Sequence, residues 1–128
     1  MNLLLDTQLL LWAASGSRRL PHDAVRLIDD PANHLAFSAA SLWEIAIKNC
    51  LGRKDFVVDA NVLRQGLLEN GFDELPVTGA HALALDTLPP IHRDPFDRIL
   101  IAQSIVEGSS LVTADKTIAR YGASVLAV

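Results

Sequence analysis

Leu3-Leu4-Leu5-Asp6-Thr7 near one end of the chain and Leu111-Val112-Thr113-Ala114-Asp115 near the other decide the fold. Each is an apolar run of strand length that stops on an aspartate. Between them, further short apolar runs alternate with helix-length amphipathic stretches, the pattern of a parallel α/β sheet with helices on its faces. Strands are expected near Leu3–Leu5, His34–Phe37, Phe72–Leu75, Leu111–Thr113 and Val125–Ala127. Helices are expected near Gln8–Ala14, His22–Asp29, Ala39–Leu51, Ala60–Glu69, Ala80–Asp86, Pro95–Glu107 and Lys116–Arg120. Ser38 is placed to cap the third helix and Gly52 to end it; Asp94 caps the sixth, Pro95 takes its first position and Gly108 closes it. The stretch Leu88-Pro89-Pro90-Ile91-His92-Arg93 reads as a loop. The pattern leaves the strand order open.

Four carboxylates sit where apolar elements have no use for them. Asp6 and Asp115 close apolar runs, Glu44 interrupts Ser41-Leu42-Trp43-Glu44-Ile45-Ala46-Ile47, and Asp97 precedes Ile99-Leu100-Ile101-Ala102. Buried acids are rare unless paired or bound to a cation. Each also has a purely structural reading. Asp6 and Asp115 suit helix N-caps, Asp97 forms a capping-box pattern with Asp94, and Glu44 has Lys48 at i+4 for an exposed ion pair. As a set they suit a hard divalent ion. Crowded carboxylates repel one another, whereas a cation offsets that repulsion, lowers the pKa of a coordinated water and stabilises phosphoryl charge. Asp6 and Asp115 are both expected at carboxyl ends of strands, the edge where open α/β sheets hold ligands.

The 128 residues are expected to form a single domain, with half of them apolar. A lone cysteine, Cys50, excludes an internal disulfide framework and suits a reducing cytoplasm. Asp6 and Gln8 break the apolar start well short of a membrane span, and no basic segment precedes it. The formal charge is −4. Setting the four suspect acids aside leaves a balanced surface, not that of a dedicated nucleic-acid binder. Zinc chemistry is disfavoured: His22, His34, His81 and His92 show no ligand spacing and read as surface or capping residues. No nucleophile elbow, Walker loop or dinucleotide fingerprint is present. Trp12 and Trp43 read as core or interface anchors. Trp43, Ile47, Ile105 and Val106 exceed what one core-facing helix stripe requires, which points to a homodimer.

At Leu4-Leu5-Asp6-Thr7, Ser41-Leu42-Trp43-Glu44-Ile45-Ala46-Ile47-Lys48, Asp94-Pro95-Phe96-Asp97-Arg98-Ile99-Leu100-Ile101-Ala102-Gln103 and Leu111-Val112-Thr113-Ala114-Asp115, the chain resembles the four acidic motifs of a PIN domain. More narrowly it resembles a VapC-type toxin of a bacterial type II toxin–antitoxin pair, over essentially its full length. The resemblance implies a three-layer α/β fold with a central parallel sheet, and a Mg²⁺-dependent endoribonuclease, with Mn²⁺ as a substitute ion. It implies a homodimer inhibited by a cognate antitoxin. Asp6, Glu44, Asp97 and Asp115 are then the expected metal ligands, with Thr7 and Thr113 orienting them and Lys48, Arg98 and Lys116 as phosphate contacts or ordinary surface ion pairs. A DNA nuclease or phosphatase of the same fold, or a non-catalytic α/β module whose acids are only caps, are the alternatives.

Overall fold

The computed structural model describes residues 1–52 and 57–128. Five strands, β1 (Asn2–Leu5), β2 (His34–Ser38), β3 (Asp73–Leu75), β4 (Ser110–Thr113) and β5 (Val125–Ala127), form one parallel sheet in the order β3-β2-β1-β4-β5. Helices α1 (Thr7–Ser15) and α2 (His22–Asp29) connect β1 to β2, and α3 (Ala39–Cys50) and α4 (Ala60–Glu69) precede β3. Then α5 (Gly79–Ala84), a 3₁₀ turn at Leu85–Thr87 and α6 (Pro95–Glu107) lead to β4, and α7 (Lys116–Ala119) leads to β5.

Alternate residues of the strands feed two separate cores, which is why the runs carry little polar alternation. On one face Leu3, Leu5, Phe37 and Val112 pack with Leu9 and Leu10 of α1, Ile45 of α3, and Leu63 and Leu67 of α4. On the other, Leu4 and Leu111 pack with Leu100, Ile101 and Ala102 of α6 and Ile118 of α7. Three layers result. The chain extends the sheet outward from β1 through β2 to β3, then returns to the far side of β1 to lay down β4. The order therefore reverses between β1 and β4, the position where such sheets leave a crevice for ligands.

The expected elements all form, with shifts at their ends that follow from capping. Helix α1 starts at Thr7 because Asp6 caps it, accepting from Leu9 N–H at 2.8 Å. Ser38 accepts from Ala40 N–H, and α3 stops at Cys50 with Gly52 left-handed at φ 67°. The helix expected over Ala80–Asp86 begins one residue earlier, where Thr78 caps it, and tightens into the 3₁₀ turn after Ala84. Strand β3 begins at Asp73; Phe72 is given over to the α4 side of the core. Helix α7 ends at Ala119, one residue short of expectation. Asp94 accepts from the N–H groups of Phe96 and Asp97, Pro95 follows it, and Gly108 closes α6 at φ 64°.

Asp94→Ala should therefore cost about 1 kcal/mol. The expected result is a lower urea midpoint at unchanged m-value, with metal affinity largely retained. Loss of metal binding as complete as in an Asp97 variant would instead make Asp94 a ligand.

Candidate metal centre

Asp6, Glu44, Asp97 and Asp115 come from four different elements and line one cleft of about 340 Å³ at the carboxyl edge of the sheet. Thr7, Trp12, Lys48 and Asp94 line it too. The parallel register Leu5↔Val112 sets the first pair, since β1 and β4 end side by side and Asp6 N–H donates to Val112 O at 3.1 Å. Thr113 then joins the two acids: its hydroxyl donates to Asp6 Oδ2 and accepts from Asp115 N–H at 3.0 Å. Asp115 Oδ1 caps α7, accepting from Thr117 N–H at 2.7 Å and Ile118 N–H at 3.2 Å. Thr7, expected beside Thr113 as an orienting residue, donates to Ser41 Oγ at 2.8 Å and so ties α1 to α3.

Asp97 does not complete a capping box. Asp94 supplies one half, but the reciprocal bond from the Asp94 N–H does not form, and Asp97 Oδ2 lies 2.7 Å from His92 Nε2. Glu44 is buried at 6 % exposure, so its pair with Lys48 at 2.8 Å is not the exposed pair of the alternative, purely structural reading. Only Oε2 takes part in that pair. Glu44 Oε1 is buried without a hydrogen-bond partner among the described residues. Such an atom normally costs about 1–3 kcal/mol, and more when charged. A cation bound in the cleft would remove that cost.

The electrostatics agree. Burial pushes the Asp6 carboxyl above its usual range; hydrogen bonds from Thr113 and the Leu9 N–H oppose this, and the charges of Asp115 and Glu44 add to it. Burial likewise pushes Asp97 up to about 6, partly offset by the His92 hydrogen bond, with Asp94 and Glu44 raising it further. The acids feel one another across the cleft. Their donor set is rich in oxygen, as Mg²⁺ and Mn²⁺ require, so the residues fit the ion that the motifs imply.

The remaining residues divide. Lys48 is on the cleft, and Lys116 is exposed next to Asp115 in sequence. Arg98, expected as a phosphate contact, does not line the cleft. Its guanidinium donates to the carbonyls of Pro89, His92 and Leu85 and to the Tyr121 hydroxyl, bracing the 85–92 loop. His81 caps, one of the two roles expected of it, accepting from Thr78 N–H at 3.0 Å from a buried position. His92 adjoins the acids, a placement signalled in sequence only by its nearness to Asp97.

In the metal-free protein Asp97 binds its proton more tightly folded than unfolded. Its contribution to stability is therefore complete below about 3.8 and lost as pH rises through about 6. Urea denaturation of the metal-free chain should show wild-type stability gaining on Asp97→Asn as pH falls from 7 to 5. A difference between the two proteins that does not change over this range would show that Asp97 ionises normally.

No curated protein matches the chain significantly. Two solved structures share its fold. VapBC2 from Rickettsia felis, bound to a DNA fragment from its promoter, is 14% identical with a TM-score of 0.70, covering 100% of this chain and 98% of that one. VapBC-1 from nontypeable Haemophilus influenzae is 16% identical with a TM-score of 0.62, covering 94% of this chain and 92% of that one. Residues 3–124 match the PIN domain, whose members are generally metal-dependent nucleases. The chain belongs to the PIN domain family.

Proposed function

We propose that the protein is an endoribonuclease of the VapC type, the toxin of a toxin–antitoxin pair, acting in the cytoplasm on RNA phosphodiester bonds. One observation carries the reading: four carboxylates from four elements meet in one cleft at the strand-order reversal, two with raised pKa values and one with an orphaned buried oxygen. A module whose acids were only caps would have no reason to bury Glu44, which caps nothing.

Asp6, Glu44, Asp97 and Asp115 would hold Mg²⁺, with Mn²⁺ as a substitute. When bound, such an ion stabilises charge on a phosphoryl oxygen and lowers the pKa of water. The chain's own contribution is orientation. The Leu9 N–H and Thr113 fix Asp6, and the first turn of α7 fixes Asp115. Lys48 on the cleft wall and Lys116 beside Asp115 would meet the flanking phosphates.

Both structural neighbours are VapBC complexes, which supports an antitoxin partner. A second groove of about 880 Å³, largely apolar, runs between α1, α2 and α4, with Ile28, Val62 and Leu67 among its lining residues. Leu11 lines both groove and cleft, so the two adjoin. An amphipathic antitoxin segment in the groove would bring an arginine or lysine to the carboxylates, in competition with the metal. Trp43, Ile47, Ile105 and Val106 are 36–62 % exposed on α3 and α6, with Trp43 edge-on to Phe96 at 5.1 Å. That apolar face is the proposed homodimer surface. Sedimentation at tens of micromolar should give a dimer; a monomer at those concentrations would count against it.

Asp6→Asn and Asp97→Asn should each lower hydrolysis on the order of 100-fold or more while keeping the fold. RNA, DNA and p-nitrophenyl phosphate supplied in parallel with Mg²⁺ should show cleavage of RNA alone. Preference for DNA or for the small ester would move the protein to another nuclease or phosphatase class. Full activity in either pure variant would remove the metal-site assignment.

A further inference from the structure

Beside the cleft, next to two of its acids, stands a nitrogen donor. His92, Asp97 and Asp115 each bring one possible ligand atom to within 4.8 Å of the other two, a trio that Asp6 and Glu44 do not join. The imidazole is held there by its backbone. His92 N–H donates to the Tyr121 hydroxyl at 2.9 Å, and His92 O accepts from Arg98 Nη1 at 3.3 Å. Arg98 also donates to the Tyr121 hydroxyl at 3.2 Å and to Pro89 O at 3.2 Å.

Arg98 directly follows Asp97, and Tyr121 follows the helix that Asp115 caps. The elements that carry the two acids thus also position the histidine. Its side chain is 22% exposed and lies outside the cleft lining, against the two acids that do line it, so it would meet an ion held between them. Donor atoms at right angles around an ion, each about 2.1 Å from it, lie about 3 Å apart. The 2.7 Å separation of His92 Nε2 and Asp97 Oδ2 is close to that spacing.

We propose that His92 is itself a metal ligand, forming with Asp97 and Asp115 a mixed nitrogen–oxygen position that tilts the centre from Mg²⁺ towards Mn²⁺ and the later first-row ions. The inference rests on the reading of the cleft as a metal centre and concerns its selectivity, placing Mn²⁺ ahead of the Mg²⁺ named there. Carboxylates alone suit Mg²⁺ and Mn²⁺ equally in kind. An imidazole adds little for Mg²⁺, which prefers oxygen and dehydrates reluctantly, but strengthens binding along the Irving–Williams series. The rival role for His92 is to orient Asp97 by hydrogen bonding without touching the ion.

The test uses the purified full chain, stripped of metal, with MgCl₂, MnCl₂ or CoCl₂ as the added ligand. Calorimetry should rank Co²⁺ and Mn²⁺ above Mg²⁺. His92→Ala should lower Co²⁺ affinity by about tenfold or more and leave Mg²⁺ affinity nearly unchanged. His92→Gln restores a hydrogen bond to Asp97 without an imidazole, so it should behave like the alanine variant. Pulsed EPR of the Mn²⁺-loaded chain should show coupling to a directly bound nitrogen that both variants lose. Absence of that coupling in the wild type, or full Co²⁺ affinity in His92→Gln, overturns the proposal while leaving the metal centre standing. Failure of the wild type to bind any of the three ions overturns both.

Discussion

The pairing of β1 with β4 is the constraint on which the rest depends. Because the strands are parallel, both end at the same edge, and the register Leu5↔Val112 sets Asp6 beside Thr113. An antiparallel β4 would have delivered Asp115 to the opposite edge of the sheet. A slip of one residue would have exchanged the faces of Leu111 and Val112, which feed different cores. The hydrophobic pattern therefore fixes the register, and the register fixes the spacing of the acids. Thr113 completes the link through one hydroxyl that donates to the Asp6 carboxylate and accepts from the Asp115 backbone.

Gathering negative charge at a buried edge is costly, and the fold offsets part of the cost with helix ends. Asp6 and Asp115 are N-caps, and Asp97 lies in the first turn of α6. Each thus sits against the positive end of a helix dipole and unsatisfied N–H groups. Capping and metal binding are then not rival explanations. A cap consumes one carboxylate oxygen, as Leu9 N–H does for Asp6 and Thr117 N–H for Asp115. The Asp97 carboxyl, raised chiefly by burial and further by the charges of Asp94 and Glu44, is one that the helix end does not fully compensate.

That double use explains what could be read in the sequence. Strands, helices and their caps were legible because local chemistry determines them: Asp94-Pro95 opens α6, Gly108 closes it, and Ser38 opens α3. All four acids were visible as misfits in apolar runs, but residue types alone could not choose between cap and ligand. Strand order was not legible, since β1 pairs across more than a hundred residues with β4 and no local pattern records that choice. Arg98 looked like a phosphate contact because a cation beside an acidic motif usually faces solvent. Its carbonyl partners at Pro89 and Leu85 lie in a loop whose path only the folded chain defines. His92 was marked only by its nearness to Asp97 in sequence, since it reaches that acid by way of the loop and not by helical spacing.

Glu44 is the residue that these compensations do not reach. It lies in the interior of α3, away from either end, so neither a cap nor the helix dipole helps it. Lys48 one turn later satisfies one oxygen, and Lys48 itself lines the same cleft. The other oxygen has no partner among the described residues, although an apolar side chain of similar size would suit a helix that already buries Ala40 and Ile45. Replacing a buried ion pair with apolar groups is often neutral or stabilising, so the fold by itself has little need of this carboxylate. Its placement is intelligible as the fourth wall of the cleft, where, on the proposed reading, its electrostatic cost would be converted into affinity for a cation.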